Sequence, residues 1–207
     1  MRVAVFGGTG KTGWLAVRYA VDKGYGCKVL TRNPERMPSV PGVEFVEGNA
    51  VNGGKVMLTL TGCDAVVIAL RPGKKAPESL LGKAGSHIVS GMRKLEIHRL
   101  VLLSSAAVSG TGYRLPAASK LSLSAFKRKH LEDLAAMERV IIESSLEWTV
   151  LRPGKLTEDR ETGSYALGTE PGASVGPVDR GDLALCAVEE IEGGKYIRQS
   201  PYVTAPY

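Results

Sequence analysis

Two rhythms of apolar and polar positions alternate along this chain. Short apolar runs read as strands: "RVAVF" (2–6), "CKVLT" (27–31), "VEFVEG" (43–48), "DAVVIAL" (64–70), "RLVLLSS" (99–105) and "LEWTVLRPG" (146–154). Gly7 stops the first, and a Pro-Gly pair ends the last. Between them lie segments of helical period: Lys11 to Lys23, closed by Gly24, then 52–60, 78–95 and a long stretch at about 122–144. In 78–95, Leu81, Ala84, Ile88, Met92 and Leu95 recur every three or four residues and make one apolar stripe. Strands that alternate with helices, several of them apolar on both faces, predict a parallel sheet covered on both sides. The expected fold is therefore α/β, a doubly wound Rossmann-type parallel sheet with helices on both faces. Its ligand belongs outside the carboxyl ends of the strands, where the strand order reverses. Three Gly/Pro-bearing segments that follow predicted strands, 71–77, 106–119 and 153–177, are candidate substrate loops.

Composition narrows the class. The 207 residues suit one domain over 1–207, and 43% hydrophobic with 23% charged residues is ordinary for a globular protein. The longest apolar runs are too short to span a bilayer, and the first meets glycine at once, unlike a secretory signal, so a cytoplasmic protein is expected. Cys27, Cys63 and Cys186 are odd in number, far apart and without histidine at ligand spacing, which predicts buried thiols and no metal. The net charge of +6 comes from scattered residues, apart from "KRKH" at 127–130. A small-molecule substrate is expected, with no nucleic-acid or membrane partner, in a monomer or small homo-oligomer.

The stretch "VFGGTGKTGW" (5–14) carries the chemistry. Gly10-Lys11-Thr12 resembles the end of a triphosphate loop, but that loop needs its first glycine at residue 5, which is Val5 inside a strand. Gly7-x-x-Gly10-x-x-Gly13 instead follows a strand and opens a helix, so helix N–H groups and the dipole can face a pyrophosphate. Gly7 permits the turn, Gly10 the close approach of phosphate, and Gly13 the packing of helix on strand. Gly8 leaves a Gly-x-Gly variant open, with the same ligand class. At the end of the second strand, "LTRNPERM" offers Arg32 and Arg36 and no acid before Glu35. Cations there accommodate a 2′-phosphate, which predicts NADPH.

These residues resemble the atypical short-chain dehydrogenase/reductases of the NAD(P)H-binding group, in particular the flavin reductase/biliverdin reductase B type. The resemblance runs through "VFGGTGKTG", Arg32 with Arg36, "EGNAV", "DAVVIAL", "LLSSAAV", "SSLEWTVLRPG" and "TGSYALG", in that order. It implies that Thr9, Gly10, Lys11 and Thr12 meet the pyrophosphate, and that Asn49 and Ala50 flank adenine. Leu70 and Arg71 would border the ribose and pyrophosphate, and Ser104 and Ser105 would lie near the nicotinamide. Arg152, Pro153, Gly154 and Lys155 would close over its far side.

The chain departs from this pattern at the proton donor. Active short-chain dehydrogenases generally carry Tyr-x-x-x-Lys on the helix before the last predicted strand, and His130 and Leu134 stand there. Leucine cannot lower a partner's pKa or hold a ribose, which argues against alcohol dehydrogenation. Tyr113 and Lys120 are seven apart and supply no substitute. His130 is a candidate donor, with an ordinary pKa near neutrality. The resembling flavin reductases also carry a histidine where this chain has Gly154. Hydride delivery to an electron-poor isoalloxazine spreads charge over the ring and needs less acid assistance than a ketone. The expected activity is therefore NADPH-dependent reduction of free flavin, held as a dissociable substrate, or of a similar flat acceptor above Ser105. Lys155, Arg152 and Lys74 are candidate anchors for its anionic groups. A second reading resembles the NmrA-like relatives: a redox sensor that binds NADP(H) and a protein partner without turnover. An epimerase-like enzyme is disfavoured because little chain remains for a substrate domain.

Overall fold

Alternate residues of the first strand serve two different cores. In β1 (Arg2–Phe6), Ala4 and Phe6 join one buried cluster, while Val3 and Val5 join another on the opposite face. This period-two division is what a sheet buried on both faces requires. The computed structural model describes residues 1–72, 79–108, 125–159, 161–169 and 175–206.

Among the described residues, an eight-stranded sheet has the order β3 (Val43–Glu47), β2 (Gly26–Thr31), β1, β4 (Ala65–Ile68), β5 (Arg99–Leu103), β6 (Glu147–Pro153), β10 (Tyr202–Thr204) and β8 (Ala166–Gly168). Neighbours from β3 to β10 run parallel, and β8 closes the edge antiparallel to β10. A small parallel pair, β7 (Leu156–Thr157) with β9 (Val178–Asp179), stands apart. Helices α2 (Gly53–Leu60), α3 (Leu80–Lys94) and α4 (Ala125–Ile142) cover the Phe6 face, and α1 (Lys11–Asp22) and α5 (Arg180–Gly193) cover the Val5 face. The fold is the expected doubly wound Rossmann type. Residues 122–124 of the predicted fourth helix and residue 78 of the third lie outside the described residues.

The sheet order reverses between β1 and β4, whose carboxyl ends finish level, with Phe6 opposite Ile68. At the other end, Arg99 anchors the start of β5. Its guanidinium donates to the Glu147 carbonyl at 2.7 Å and to Thr149 Oγ1 at 2.9 Å, and Nε donates to the Glu190 carbonyl at 3.1 Å. The Glu190 carboxylate lies 3.4 Å from Arg99 Nη2 and accepts Tyr196 N–H at 3.2 Å. Burial holds the Arg99 pKa below its ordinary value, against the pull of Glu190 and Glu147. The three cysteines are free and buried, and burial pushes the Cys27 and Cys63 thiols up to about 12 and about 11. Such thiols are not thiolate nucleophiles at neutral pH.

Candidate functional site

The turn after β1 is possible only because its glycines lack side chains. Gly7 has φ +87°, and a Cβ on it would lie 2.9 Å from the Leu70 nitrogen. A Cβ on Gly13 would lie 2.9 Å from the Gly7 carbonyl carbon, so the first turn of α1 can settle onto the strand end only as glycine. Gly10 N–H donates to the Gly7 carbonyl at 3.0 Å and closes the turn. Gly10 is also the N-cap of α1 and supplies no side-chain hydrogen bond. An uncapped helix start, next to backbone bare of Cβ atoms, is the arrangement that receives a phosphate.

Two cavities meet over the end of β4. The first, of about 410 Å³, is lined by Gly7, Thr9, Gly10, Leu30, Thr31, Arg32, Gly48, Asn49, Ala50, Ala69, Leu70, Arg71, Pro72 and Leu80. Among the described residues no carboxylate lines it. The second, of about 250 Å³, has Thr12, Ala69, Leu70, Arg71, Leu103, Ser104, Ser105, His130, Leu131, Leu134, Pro153, Gly154, Leu156, Arg180 and Leu183. Ala69, Leu70 and Arg71 belong to both. The structure thus brings most of the sequence-predicted residues into one continuous recess at the topological switch point. Lys11, Gly13, Arg36, Arg152 and Lys155 line neither cavity. Lys74, Tyr113 and Lys120, with most of loops 71–77 and 106–119, lie outside the described residues.

Charged side chains sort into distinct environments. Arg36 is 79% exposed and 3.7 Å from Glu35, on the short 3-10 turn Pro34–Arg36, whereas Arg32 faces the first cavity. Lys11 Nζ donates to both Glu158 oxygens, at 2.6 and 2.7 Å. Arg180 Nε reaches the same carboxylate at 3.3 Å, and Arg180 Nη1 donates to Thr12 Oγ1 at 3.3 Å. Lys11 leads the causes that hold the Glu158 carboxyl below its usual range. Arg152 does not reach outward over the recess: its Nη2 pairs with the buried Glu138 carboxylate at 2.7 Å. Asn49 Oδ1 accepts Val51 N–H at 3.3 Å, which fixes the side chain at the cavity rim.

On α4, His130 and Leu134 lie one turn apart on the face that lines the second cavity. His130 Nδ1 is buried and has no hydrogen-bond partner among the described residues. Burial first, then Arg71, hold the imidazole below its ordinary 6.5, while Asp133 pulls the other way. The Asp133 carboxylate is committed to α3, accepting Leu81 N–H at 2.9 Å and Gly82 N–H at 3.2 Å. Ser105 Oγ accepts Ala107 N–H at 3.2 Å. Gly154 packs so tightly on the 175–176 backbone that a Cβ would be 3.1 Å from the Val175 carbonyl oxygen. The position that carries histidine in the resembling flavin reductases has no room for a side chain here.

Sequence reasoning missed Arg180, Leu183 and Glu138. Arg180 and Leu183 begin α5, whose start is marked by Asp179 as N-cap, accepting Gly181 N–H at 2.7 Å. An aspartate four residues ahead of the apolar run 183–188 was a usable signal. Glu138 lies four residues beyond Leu134 and next to buried Met137, but an acid on a helix carries no signal of burial before its pairing with Arg152 is seen.

Fold and recess define a dinucleotide-binding α/β protein, and the chain belongs to the NAD(P)H-binding family, whose pattern matches residues 7–193. A relative in Arabidopsis thaliana, an uncharacterised chloroplastic protein, is 28% identical over 201 residues, covering 92% of this chain and 71% of its own length. Among solved structures, the chain is similar to a wide-type short-chain dehydrogenase/reductase of Veillonella parvula in complex with NADP. The TM-score is 0.81 at 19% identity, over 99% of this chain and 94% of that one. It is similar also to ChuY, an anaerobilin reductase of Escherichia coli O157:H7, with TM-score 0.81 at 18% identity, over 100% and 98% of the two chains. At such identities the likeness is one of fold. Among the described residues no helix is long and apolar enough to cross a membrane, and no group of three His, Cys, Asp or Glu residues is placed to hold a metal.

Proposed function

We propose that this protein is an NADPH-dependent reductase that passes hydride to a free flavin or a similar flat conjugated acceptor in the second cavity. The observation that carries the reading is the pair of cavities sharing Ala69–Arg71, with Arg32 in one and Ser104, Ser105 and His130 in the other. A dinucleotide laid across both would have its adenosine half beside Arg32 and Asn49, and its pyrophosphate against the Gly7–Gly13 turn. Its nicotinamide would lie beside the serines. Arg32, in a cavity with no lining carboxylate among the described residues, favours a 2′-phosphate over bare ribose hydroxyls.

NADPH bound in this way supplies the hydride. The chain's own residues bind, orient and exclude water. Leu103, Leu131, Leu134, Leu156 and Leu183 make the second cavity largely apolar, which suits a flat ring system. Holding an acceptor in register with the nicotinamide lowers the barrier by removing translational and rotational freedom, roughly 7–11 kcal/mol at best. His130 is the titratable group we assign to proton delivery, and its buried Nδ1 has no hydrogen-bond partner among the described residues. Lys11, Thr12 and Arg180 would stand by the pyrophosphate, and Glu158 is the countercharge of the two cations Lys11 and Arg180. Relatives of solved structure include a protein described as an anaerobilin reductase, so tetrapyrroles belong in the substrate panel.

The test is a steady-state screen of NADPH oxidation with flavins, quinones and linear tetrapyrroles, using NADH as the control. Saturable, acceptor-dependent turnover that prefers NADPH supports the reading. Tight NADPH binding without turnover would favour the regulatory sensor instead.

A further inference from the structure

Glu138 lies on α4 one turn beyond Leu134 and two beyond His130, and it is 3% exposed. Both of its oxygens are engaged. Oε2 accepts from Arg152 Nη2 at 2.7 Å, and Oε1 accepts the Ser104 hydroxyl, with Arg152 Nε 3.4 Å away. Arginine stays charged, and a carboxylate paired with it only accepts. The Ser104 hydroxyl must therefore donate to Glu138, which leaves its lone pairs as what it can offer the second cavity. Ser105 is set the other way. Its oxygen already accepts Ala107 N–H, and its proton has no acceptor among the described residues. Two adjacent hydroxyls lining one cavity thus differ: Ser104 can only accept there, while Ser105 still has its proton to donate.

We infer that Glu138 is a positioning residue that acts through Ser104 and makes this serine pair complementary to an amide edge, with N–H against Ser104 and C=O against Ser105. The inference rests on the NADPH reductase reading and names the hydrogen-bond pattern that site recognises. Two sources carry such an edge: the nicotinamide carboxamide, and the N–H/C=O edge of a flavin or a tetrapyrrole lactam. Arg152 holds the arrangement by neutralising Glu138, and its side chain is only 14% exposed.

Replacing Glu138 by glutamine should invert the pattern. Arg152 only donates, so the glutamine carbonyl turns to it and the amide NH₂ faces Ser104, whose hydroxyl proton is then released toward the cavity. The experiment compares wild type, Glu138→Gln, Ser104→Ala and the double variant in two arms. One measures equilibrium binding of NADPH against its 3-acetylpyridine analogue, which lacks the amide N–H. The other measures KM for FMN against its N3-methyl derivative.

Wild type should disfavour the analogue without N–H by about fivefold to tenfold, the worth of one hydrogen bond, in the arm that matches the true source. Both single variants should abolish that preference, and the double variant should match Ser104→Ala. Ser104→Ala keeps the Glu138–Arg152 pair, so it probes the same hydrogen bond even if Glu138→Gln folds poorly, and a preference that survives in it overturns the inference. A wild type that binds NADPH but shows no preference in either arm overturns it too, and so does a Glu138→Gln protein that keeps the preference. A wild type that fails to bind NADPH overturns the cofactor reading itself, and the inference with it.

Discussion

Gly13 rests directly on Gly7: a Cβ at residue 13 would fall 2.9 Å from the Gly7 carbonyl carbon and 3.0 Å from Gly8 Cα. The close packing of α1 on the end of β1 sets the height of the helix start, and with it the place where a pyrophosphate can be received. Gly13→Ala should push α1 outward, cost about 1–3 kcal/mol of stability and weaken NADPH binding more than tenfold. Thermal unfolding and a fluorescence titration check the two effects. An alanine variant that binds NADPH like wild type would show that the turn is not the phosphate seat.

Arg32 and Arg36 separate in the structure, because only Arg32 lines the first cavity while Arg36 is 79% exposed beside Glu35. Arg32→Ala alone should raise the NADPH Kd by about 10- to 100-fold, the range for a lost charge-assisted hydrogen bond, and leave NADH nearly unchanged. Arg36→Ala should add little. Equal losses for both cofactors would remove the 2′-phosphate assignment.

The alternation of strands and helices was legible because each strand is an apolar run bounded by glycine or a turn, and the helix at 80–94 shows its stripe. The end of the chain was not. Strand β10 has three residues and is defined by pairing with β6 and β8, which no local pattern announces. Helix α5 opens on Arg180, Gly181 and Asp182, residues that read as a polar turn until Asp179 is recognised as their cap. Within the site, the residues adjoining strand ends that the family resemblance implied line the two cavities, because a parallel sheet gathers its carboxyl ends on one side. Glu138 escaped because an acid on a helix reads as solvated surface, and only the tertiary pairing with Arg152 explains its burial.

His130 ties activity to pH with a definite sign. Burial and Arg71 disfavour the imidazolium, and Asp133 partly offsets them, so the folded-state pKa lies below 6.5. If this ring delivers the proton, turnover falls as pH rises through that lowered midpoint, and His130→Gln removes the limb. Arg71→Gln should move the midpoint up, and Asp133→Asn should move it down. Stability runs the opposite way: neutral His130 favours the fold above pH 6.5, and this contribution is lost as pH falls through the folded-state pKa. A pH–rate profile unchanged by His130→Gln would make the histidine structural.

Arg99 and Glu190 supply a control remote from the recess. Arg99→Ala leaves the buried Glu190 carboxylate without its countercharge and should cost about 3–5 kcal/mol in denaturant unfolding. The double variant Arg99→Met with Glu190→Met should recover part of that loss. Neither should alter the ratio of NADPH to NADH affinity in folded protein.

The central claim is hydride transfer from NADPH to a flat acceptor in the second cavity. Its most direct test is single-turnover mixing of the NADPH-loaded protein with FMN, followed by absorbance of both partners and repeated with NADPH deuterated at each face of C4. The account predicts stoichiometric loss of NADPH and FMN absorbance together, slowed by deuterium on one face only. NADPH that stays bound and unoxidised while flavins, quinones and tetrapyrroles are offered in turn would contradict it.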